Sequence, residues 1–302
     1  MTYDDHLRFG TVGSPQTTPK SGTIEAVRHI AELGLHHLEI AWTRSVRVKD
    51  ETCAEIKAVA EDKGISLSVH APYFINLNSQ TDELMRKSDE RLLTAARKGY
   101  LAGAKDIVFH PGSYHKQDPA LVYERACKQL TSIVKTLRDE GTDVTLRPET
   151  MGKSAMFGNL DEVLRLSRDI DGVMPCIDWA HLHARQGDGT FNTLAEFDEA
   201  VAKIRDVLGD EGLHQCHFHM SGIDYTPKGE KEHLPLNEAD IAYRDLLSVF
   251  VKYDLQGTVA VEAPKPFHTA DALHLQATYR RLCDIRDNKP KEPRHPKVQP
   301  AE

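Results

Sequence analysis

Short apolar runs alternate with longer amphipathic stretches along the whole chain. The apolar runs predict eight strands, at Leu7 to Val12, His37 to Ala41, Ser66 to His70, Asp106 to His110, Asp143 to Arg147, Val173 to Asp178, Gln215 to His219 and Thr258 to Glu262. Apolar residues at helical spacing predict helices near Gly22 to Leu33, Glu51 to Asp62, Asp82 to Gly103, Pro119 to Asp139, Leu160 to Ile170, Leu194 to Leu208, Glu238 to Tyr253 and Ala270 to Ile285. This alternation is typical of parallel strands covered by crossover helices.

Eight such units in 302 residues predict an α/β protein with a closed (β/α)8 TIM barrel, a single domain spanning residues 1–287. An open doubly wound sheet is the second choice, because the segment Gly10 to Ser14 does not fit the G-x-G-x-x-G loop that such sheets carry after their first strand. Residues 288–302 contain four prolines and several basic residues, which predicts a flexible tail. The tail is interpreted as a solvated terminus, with contact to DNA as the alternative.

The composition limits which binding partners and which cellular compartment are expected. The formal charge of −8 argues against a basic surface, so any nucleic-acid binding has to come from a local groove or from metal ions. The five cysteines are scattered without a Cys-x-x-Cys pair, which favours a reducing compartment. Because no long apolar run is present, we expect a cytoplasmic protein without membrane contact. The oligomeric state is left open, and a monomer is compatible with the sequence.

Metal-ligating residue types stand where six predicted strands end. They are His70, His110, Glu149, Asp178 with His181, His219 and Glu262. Active sites of such barrels lie at the C-terminal ends of the strands. Imidazoles and carboxylates gathered there would be costly to bury without a cation, so the pattern predicts a metal site.

Three further histidines are less strongly indicated as metal ligands. His217 lies two residues before His219 on the same face of a strand, and His183 lies two residues after His181; both are interpreted as structural residues or supports of the ligands. His233 lies in a charged loop, which without the other ligands would be interpreted as a solvated lid.

The order of these motifs resembles the endonuclease IV family of apurinic/apyrimidinic endonucleases, within the xylose-isomerase-like TIM barrel superfamily. The motifs are His70-Ala71-Pro72-Tyr73, Phe109-His110-Pro111-Gly112, Pro148-Glu149-Thr150-Met151, Cys176-Ile177-Asp178 with His181, and Val261-Glu262-Ala263-Pro264. The segment His219-Met220-Ser221-Gly222 resembles a divergent branch of that family.

The resemblance implies two or three zinc ions, with manganese or iron as alternatives. His70 and His110 would hold one ion, and Asp178, His219 and Glu262 a second, with Glu149 bridging the two as the catalytic carboxylate. A third ion would be held by His181 and His233. The family has an Asp two residues before this last histidine, whereas this chain has Lys231. A neighbouring Glu as ligand, weak binding or absence of the third ion all remain open.

The resemblance also implies a reaction, hydrolysis of the phosphodiester 5′ to an abasic site in damaged double-stranded DNA. Tyr73 and Phe74 would fill the gap that the lesion leaves in the base stack, and Arg44 would contact phosphate. Phe74 in the core and Arg44 in an ordinary solvated loop are the alternatives.

Two other functions compete with this hypothesis. A sugar isomerase or epimerase on the same barrel would need one divalent ion, which Glu149, Asp178, His219 and Glu262 could hold. The additional histidines at the strand ends distinguish a nuclease from such an enzyme. A catalytically silent barrel that binds nucleic acid or a protein would be expected to have lost several ligands, whereas only one ligand position looks altered.

Overall fold

The computed structural model describes residues 7–288, and eight parallel strands within that range form one sheet. The strands of the protein are β1 (Leu7–Val12), β2 (His37–Ala41), β3 (Ser66–His70), β4 (Asp106–Phe109), β5 (Thr145–Pro148), β6 (Ile177–Asp178), β7 (Cys216–Met220), β8 (Gly222–Thr226), β9 (Gly229–Leu234) and β10 (Gly257–Val261). The order in the large sheet is β5-β4-β3-β2-β1-β10-β7-β6, and β8 and β9 form a separate antiparallel hairpin.

Parallel bridges join the two edges of this sheet. Leu146 pairs with Val173, and Glu149 pairs with Cys176, on the segment that leads into β6. The sheet therefore closes on itself, and the predicted TIM barrel is confirmed while the open sheet is excluded. The predicted tail falls outside the described residues from position 289 onward.

Helices surround the barrel between successive strands. They are α1 (Thr23–Glu32), α2 (Asp50–Lys63), α3 (Asp82–Leu101), α4 (Pro119–Asp139), α5 (Leu160–Asp169), α6 (Trp179–Ala184), α7 (Leu194–His214), α8 (Tyr243–Lys252) and α9 (His268–Asp287). The bounds of α4 agree with the prediction because local signals define its start: Asp118 accepts a hydrogen bond from the backbone of Ala120, and Pro119 occupies the first turn.

The predictions were wrong in several places. The strand predicted from Val173 begins at Ile177, and the helix predicted to end at Leu208 ends at His214. The helix predicted from Glu238 begins at Tyr243, after a short 3-10 helix at Leu236–Glu238. Helix α6 was not predicted; it begins directly at the end of β6, where Asp178 accepts a hydrogen bond from the backbone of His181 at 2.7 Å. The segment interpreted as a charged lid forms the hairpin β8–β9, which lacks the alternation of apolar and polar residues that identifies a half-buried strand.

Apolar side chains fill the layer between sheet and helices. Trp179 packs against Phe218 and Phe250, with ring centroids 5.7 Å from each, and the two phenylalanine rings stack at 4.8 Å. Within residues 7–288, no helix is long and apolar enough to cross a membrane, and the five cysteines form no disulfide.

The interior of the barrel is polar instead. Glu39 on β2 and His217 on β7 lie 2.8 Å apart, although these strands are not neighbours in the sheet, so the contact crosses the interior. Nearer the N-terminal ends of the strands, buried Arg147 contacts Asp106 at 2.6 Å. Barrels of this kind usually fill this space with branched aliphatic residues. The polar filling continues up to the strand ends where the predicted ligands stand.

Candidate metal centre

The predicted ligands meet at one mouth of the barrel. Parallel strands end at a common rim, and the sheet register sets Asp178 opposite His219. His70 ends β3, and His110, Glu149 and Glu262 directly follow β4, β5 and β10.

His70, His110 and Glu149 form the first ligand group. The Nε2 atoms of His70 and His110 each lie 3.3 Å from the same carboxylate oxygen, Oε2 of Glu149. Nδ1 of His70 donates a hydrogen bond to the carbonyl oxygen of Ala71 at 2.9 Å, which leaves Nε2 facing the carboxylate. The three ligand atoms are close enough to share one cation.

The second ligand group consists of Glu149, Asp178, His219 and Glu262. Nδ1 of His219 lies 3.5 Å from Oε1 of Glu149, 3.9 Å from Oδ2 of Asp178 and 3.4 Å from Oε2 of Glu262. Glu149 therefore directs one oxygen to each group, which is the arrangement of a bridging carboxylate.

Several buried polar atoms of these two groups are unsatisfied. Among the atoms of residues 7–288, none makes a hydrogen bond of acceptable geometry with either oxygen of Glu149, Oδ2 of Asp178, Nε2 of His70 or Nδ1 of His219. Burial of such atoms without a partner is costly. A divalent cation would satisfy all of them, and nitrogen and carboxylate ligands suit zinc, manganese or iron.

The electrostatics of the side chains agree with a cation site. Burial alone would lower the pKa of His70, but the close contact and charge interaction with the Glu149 carboxylate raise the pKa to about 9. Burial would raise the pKa of Glu262, but interactions with His219 and His233 bring the pKa down to about 2. Protons on the histidines thus compensate the carboxylates, and a bound metal would displace them.

A third group lies beside the second and consists of Asp178, His181 and His233. Nδ1 of His181 donates to the carbonyl oxygen of Thr150 at 2.9 Å, so that its Nε2 is directed toward the hairpin. His233 lies on the hairpin, and its Nδ1 is 2.6 Å from Oγ of Ser221, the residue between β7 and β8. The rings of His181 and His233 have centroids 5.2 Å apart.

A β-bulge in the hairpin decides which acidic neighbour of Lys231 reaches this group. Asp224 pairs with Glu232 and Tyr225 pairs with Glu230, so Lys231 is the extra residue between them. The Lys231 ammonium lies outside the site and contacts Asp224 at 2.5 Å.

Glu230 is the acidic residue that faces the third group. Its Oε2 lies 3.6 Å from Nε2 of His181, and its backbone N–H donates to Gly152 at 2.8 Å. A Cβ at position 152 would come within 2.7 Å of the Glu230 side chain and 2.9 Å of His181, so the close approach requires glycine. Of the two glutamates that the sequence left open, the structure brings Glu230 to the site.

Two aromatic residues flank the mouth. Tyr73 is half exposed, and its ring lies 5.2 Å from that of His110. Phe74 is 64% exposed, which excludes the core position considered for it, and the Arg91 guanidinium lies 5.8 Å from its ring centroid.

Arg44 is exposed in the loop after β2. It lines a cavity of about 300 Å³ together with Lys87, Glu90 and Arg91, beside the aromatic pair. The chain is acidic as a whole, so this cluster with three cationic residues is a local exception.

The histidines interpreted as supports do not join the three groups. His217 contacts Glu39 and Thr258 below the second group. Nδ1 of His183 lies 2.8 Å from the carbonyl oxygen of Thr190, and its Nε2 lies 3.0 Å from Oδ1 of Asp240. Both contacts lie away from the ligand groups. Sequence reasoning missed Glu39, although a single charged residue at an inward position of a short strand was a signal.

The chain is similar to known proteins over most of its length. The sequence profile of the xylose isomerase-like TIM barrel family matches residues 27–281. The chain belongs to this family. An uncharacterized protein from Methanocaldococcus jannaschii is 36% identical over 282 residues, covering 93% of this chain and all of that one. A probable endonuclease 4 from Bacillus licheniformis is 25% identical over 257 residues, covering 82% of each chain.

Solved structures with the same fold include both enzyme classes considered above. Endonuclease IV from Thermus thermophilus aligns with a TM-score of 0.70 at 22% identity, over 91% of this chain and 99% of that one. A D-tagatose 3-epimerase-like protein aligns with a TM-score of 0.71 at 18% identity, over 93% and 100%. These likenesses establish the fold and do not separate a hydrolase from an epimerase.

Proposed function

We propose that this protein is a metal-dependent phosphodiesterase that incises damaged double-stranded DNA 5′ to abasic sites. The observation that carries the proposal is the bridging position of Glu149, whose two oxygens face two different ligand groups. An epimerase with a single ion needs only the second group. The histidine pair His70 and His110, with no hydrogen-bond partner for the buried His70 Nε2 among residues 7–288, is not required by such an enzyme.

Divalent ions held by these residues would activate water near neutral pH and would offset the charge of a phosphodiester and of its leaving oxygen. The chain's own contribution is to hold the ligands rigidly: Glu149, Asp178 and His219 are fully buried. Glu149 lies between the two groups and is the residue that would orient the attacking water. Zinc suits this ligand set, and a third ion would use His181, His233 and Glu230.

The mouth of the site supplies the features that recognition of an abasic site needs. The exposed ring of Phe74 is available to enter a base stack, and an abasic site is cheaper to unstack than an intact pair. Arg44, Lys87 and Arg91 lie beside it, where they would contact phosphates despite the net charge of −8.

The test uses a labelled duplex with one stable abasic analogue. We expect the zinc-loaded protein to cut 5′ to the analogue, leaving a 3′-hydroxyl, and Glu149→Gln to lower the rate of this cut by about three orders of magnitude. Glu162→Gln is the matched control, because Glu162 is a buried carboxylate that caps α5 and takes no part in the ligand groups. Absence of incision that depends on Glu149 under zinc, manganese and iron would overturn the proposal.

The epimerase is a second candidate because the second ligand group alone satisfies its requirement for one ion. The same preparations are to be incubated with ketohexoses, and the products separated by chromatography. Epimerisation that depends on Glu149, with one tightly bound ion per chain, would favour the epimerase, whereas two or more ions per chain favour the nuclease.

A further inference from the structure

A buried carboxylate lies directly beneath the second ligand group. Glu39 stands in the middle of β2 and is fully buried, while its neighbours Leu38 and Ile40 point into the apolar layer. A buried charge destabilises a barrel that could have an aliphatic residue at this position. Its presence therefore calls for a reason outside the stability of the fold.

Glu39 contacts the ligand His219 from the side opposite the proposed metal position. Its Oε1 lies 3.0 Å from Nε2 of His219, while Nδ1 of the same ring faces Glu262 at 3.4 Å. Neither Oε1 nor Nε2 makes a hydrogen bond of acceptable geometry with any atom of residues 7–288. The two unsatisfied atoms therefore face each other within hydrogen-bond distance.

The other oxygen of Glu39 is firmly held. Ser68 Oγ donates to Oε2 at 2.6 Å, and Nε2 of His217 lies 2.8 Å from the same oxygen. His217 is in turn held by Thr258, with Nδ1 and Oγ1 2.6 Å apart. Glu39 pairs with Ser68 across β2 and β3, and His217 with Thr258 across β7 and β10, so the sheet register fixes both contacts. One oxygen is thus anchored and the other is left for His219.

We propose that Glu39 is a positioning residue of the metal centre, which accepts the Nε2–H of His219 and so directs the Nδ1 lone pair of that ring to the second metal position. The inference rests on the proposed metal-dependent function. Metal-ligating histidines commonly donate their other ring N–H to a carboxylate, and loss of such a partner costs ~10- to 100-fold in metal affinity.

The position of Glu39 predicts that its substitution weakens one of the two ions and not the other. His219 belongs to the second ligand group, whereas the first group uses His70 and His110. We therefore expect Glu39→Gln to weaken the second ion by about 10- to 100-fold and to leave the first ion near its wild-type affinity. A residue that only supported the fold would change the thermal stability and affect both ions alike.

The experiment measures metal affinity without any DNA. Wild type, Glu39→Gln and the control Glu162→Gln are titrated with zinc against a competing chelator, and the cobalt-loaded forms are compared by visible absorption. The expected result is a weakened second ion and an altered cobalt spectrum in Glu39→Gln only. Wild-type affinities and spectrum in Glu39→Gln, or equal weakening of both ions, would overturn the inference.

If Glu39→Gln does not fold, the zinc-loaded wild type supplies the measurement. Proton NMR with ¹⁵N-labelled histidine is expected to show a His219 Nε2–H that is protected from exchange and shifted downfield; its absence overturns the inference. The two proposals fail separately: a wild type that binds two ions but cuts no DNA contradicts the nuclease and leaves Glu39 standing. A wild type that binds one ion, with that ion weakened in Glu39→Gln, also contradicts the nuclease alone, whereas a wild type that binds no ion contradicts both.

Discussion

Two regions of the candidate metal centre are built in different ways. The ligands of the first two groups stand on or directly after parallel strands of the barrel, and Glu149, Asp178 and His219 are fully buried. His233 of the third group and Glu230, which faces that group, both lie on the hairpin β8–β9 and are partly exposed. The register of a closed sheet fixes where side chains at the strand ends lie, whereas the side chains of a hairpin that face the barrel depend on its local pairing.

The hairpin illustrates this dependence. Its bulge turns Lys231 away from the site and brings Glu230 toward His181. A bulge of one residue changes which side chain faces the barrel, because successive residues of a strand point to opposite sides. The strand ends have no comparable freedom, since a shift there would move every inward residue of the barrel.

The largest effect is expected for Glu149→Gln, which removes the ligand shared by two groups. A loss of several kcal/mol of charge stabilisation lowers incision by about three orders of magnitude. Both ions should bind weakly, as measured by metal analysis after dialysis. Retention of two ions per chain by this variant would contradict the bridging role.

A smaller effect is expected for His233→Asn, on the hairpin. The first two groups do not include this residue, so two ions per chain should remain, and incision should fall by about tenfold. Metal analysis and incision kinetics check both statements. If His233→Asn lowers incision as much as Glu149→Gln, the hairpin contributes as much to activity as the strand ends, and the proposed difference between the two regions is wrong.

Adjacent residues on β9 offer a sharper comparison. Glu230→Gln should weaken the third ion by about tenfold, because its carboxylate faces His181, whereas Lys231→Ala should leave the ion unchanged. Zinc titration of both variants makes the comparison. A weaker ion in Lys231→Ala, with Glu230→Gln unaffected, would reverse the assignment.

The smallest effect is expected for Phe74→Ala at the exposed mouth. Its ring is 64% exposed, so the free energy of unfolding should change by less than about 0.5 kcal/mol. Loss of stacking should weaken binding to abasic DNA by about 1 kcal/mol or more, roughly fivefold. Thermal denaturation and a binding assay with catalytically inactive Glu149→Gln as background measure the two. Unchanged DNA affinity would contradict the proposed insertion of Phe74 into the base stack.

Much of the fold was accessible from the sequence because its signals are local. The eight barrel strands agree with prediction to within a few residues, since each apolar run is short and followed by a helical pattern. The hairpin escaped prediction because Gly229–Leu234 is polar on both faces. The start of α8 was wrong because Pro235 leads into a 3-10 helix, with further non-helical residues before Tyr243.

The sequence by itself determined the residue types at the strand ends, and a barrel places strand ends at one mouth. It therefore predicted that His70, His110, Glu149, Asp178, His219 and Glu262 would lie together. Only the tertiary structure decided that Glu230 rather than Glu232 faces His181, and that Glu39 contacts His219. Both outcomes depend on non-local geometry, a bulge in one case and a contact across the barrel interior in the other, which the spacing of residues along a single strand does not encode.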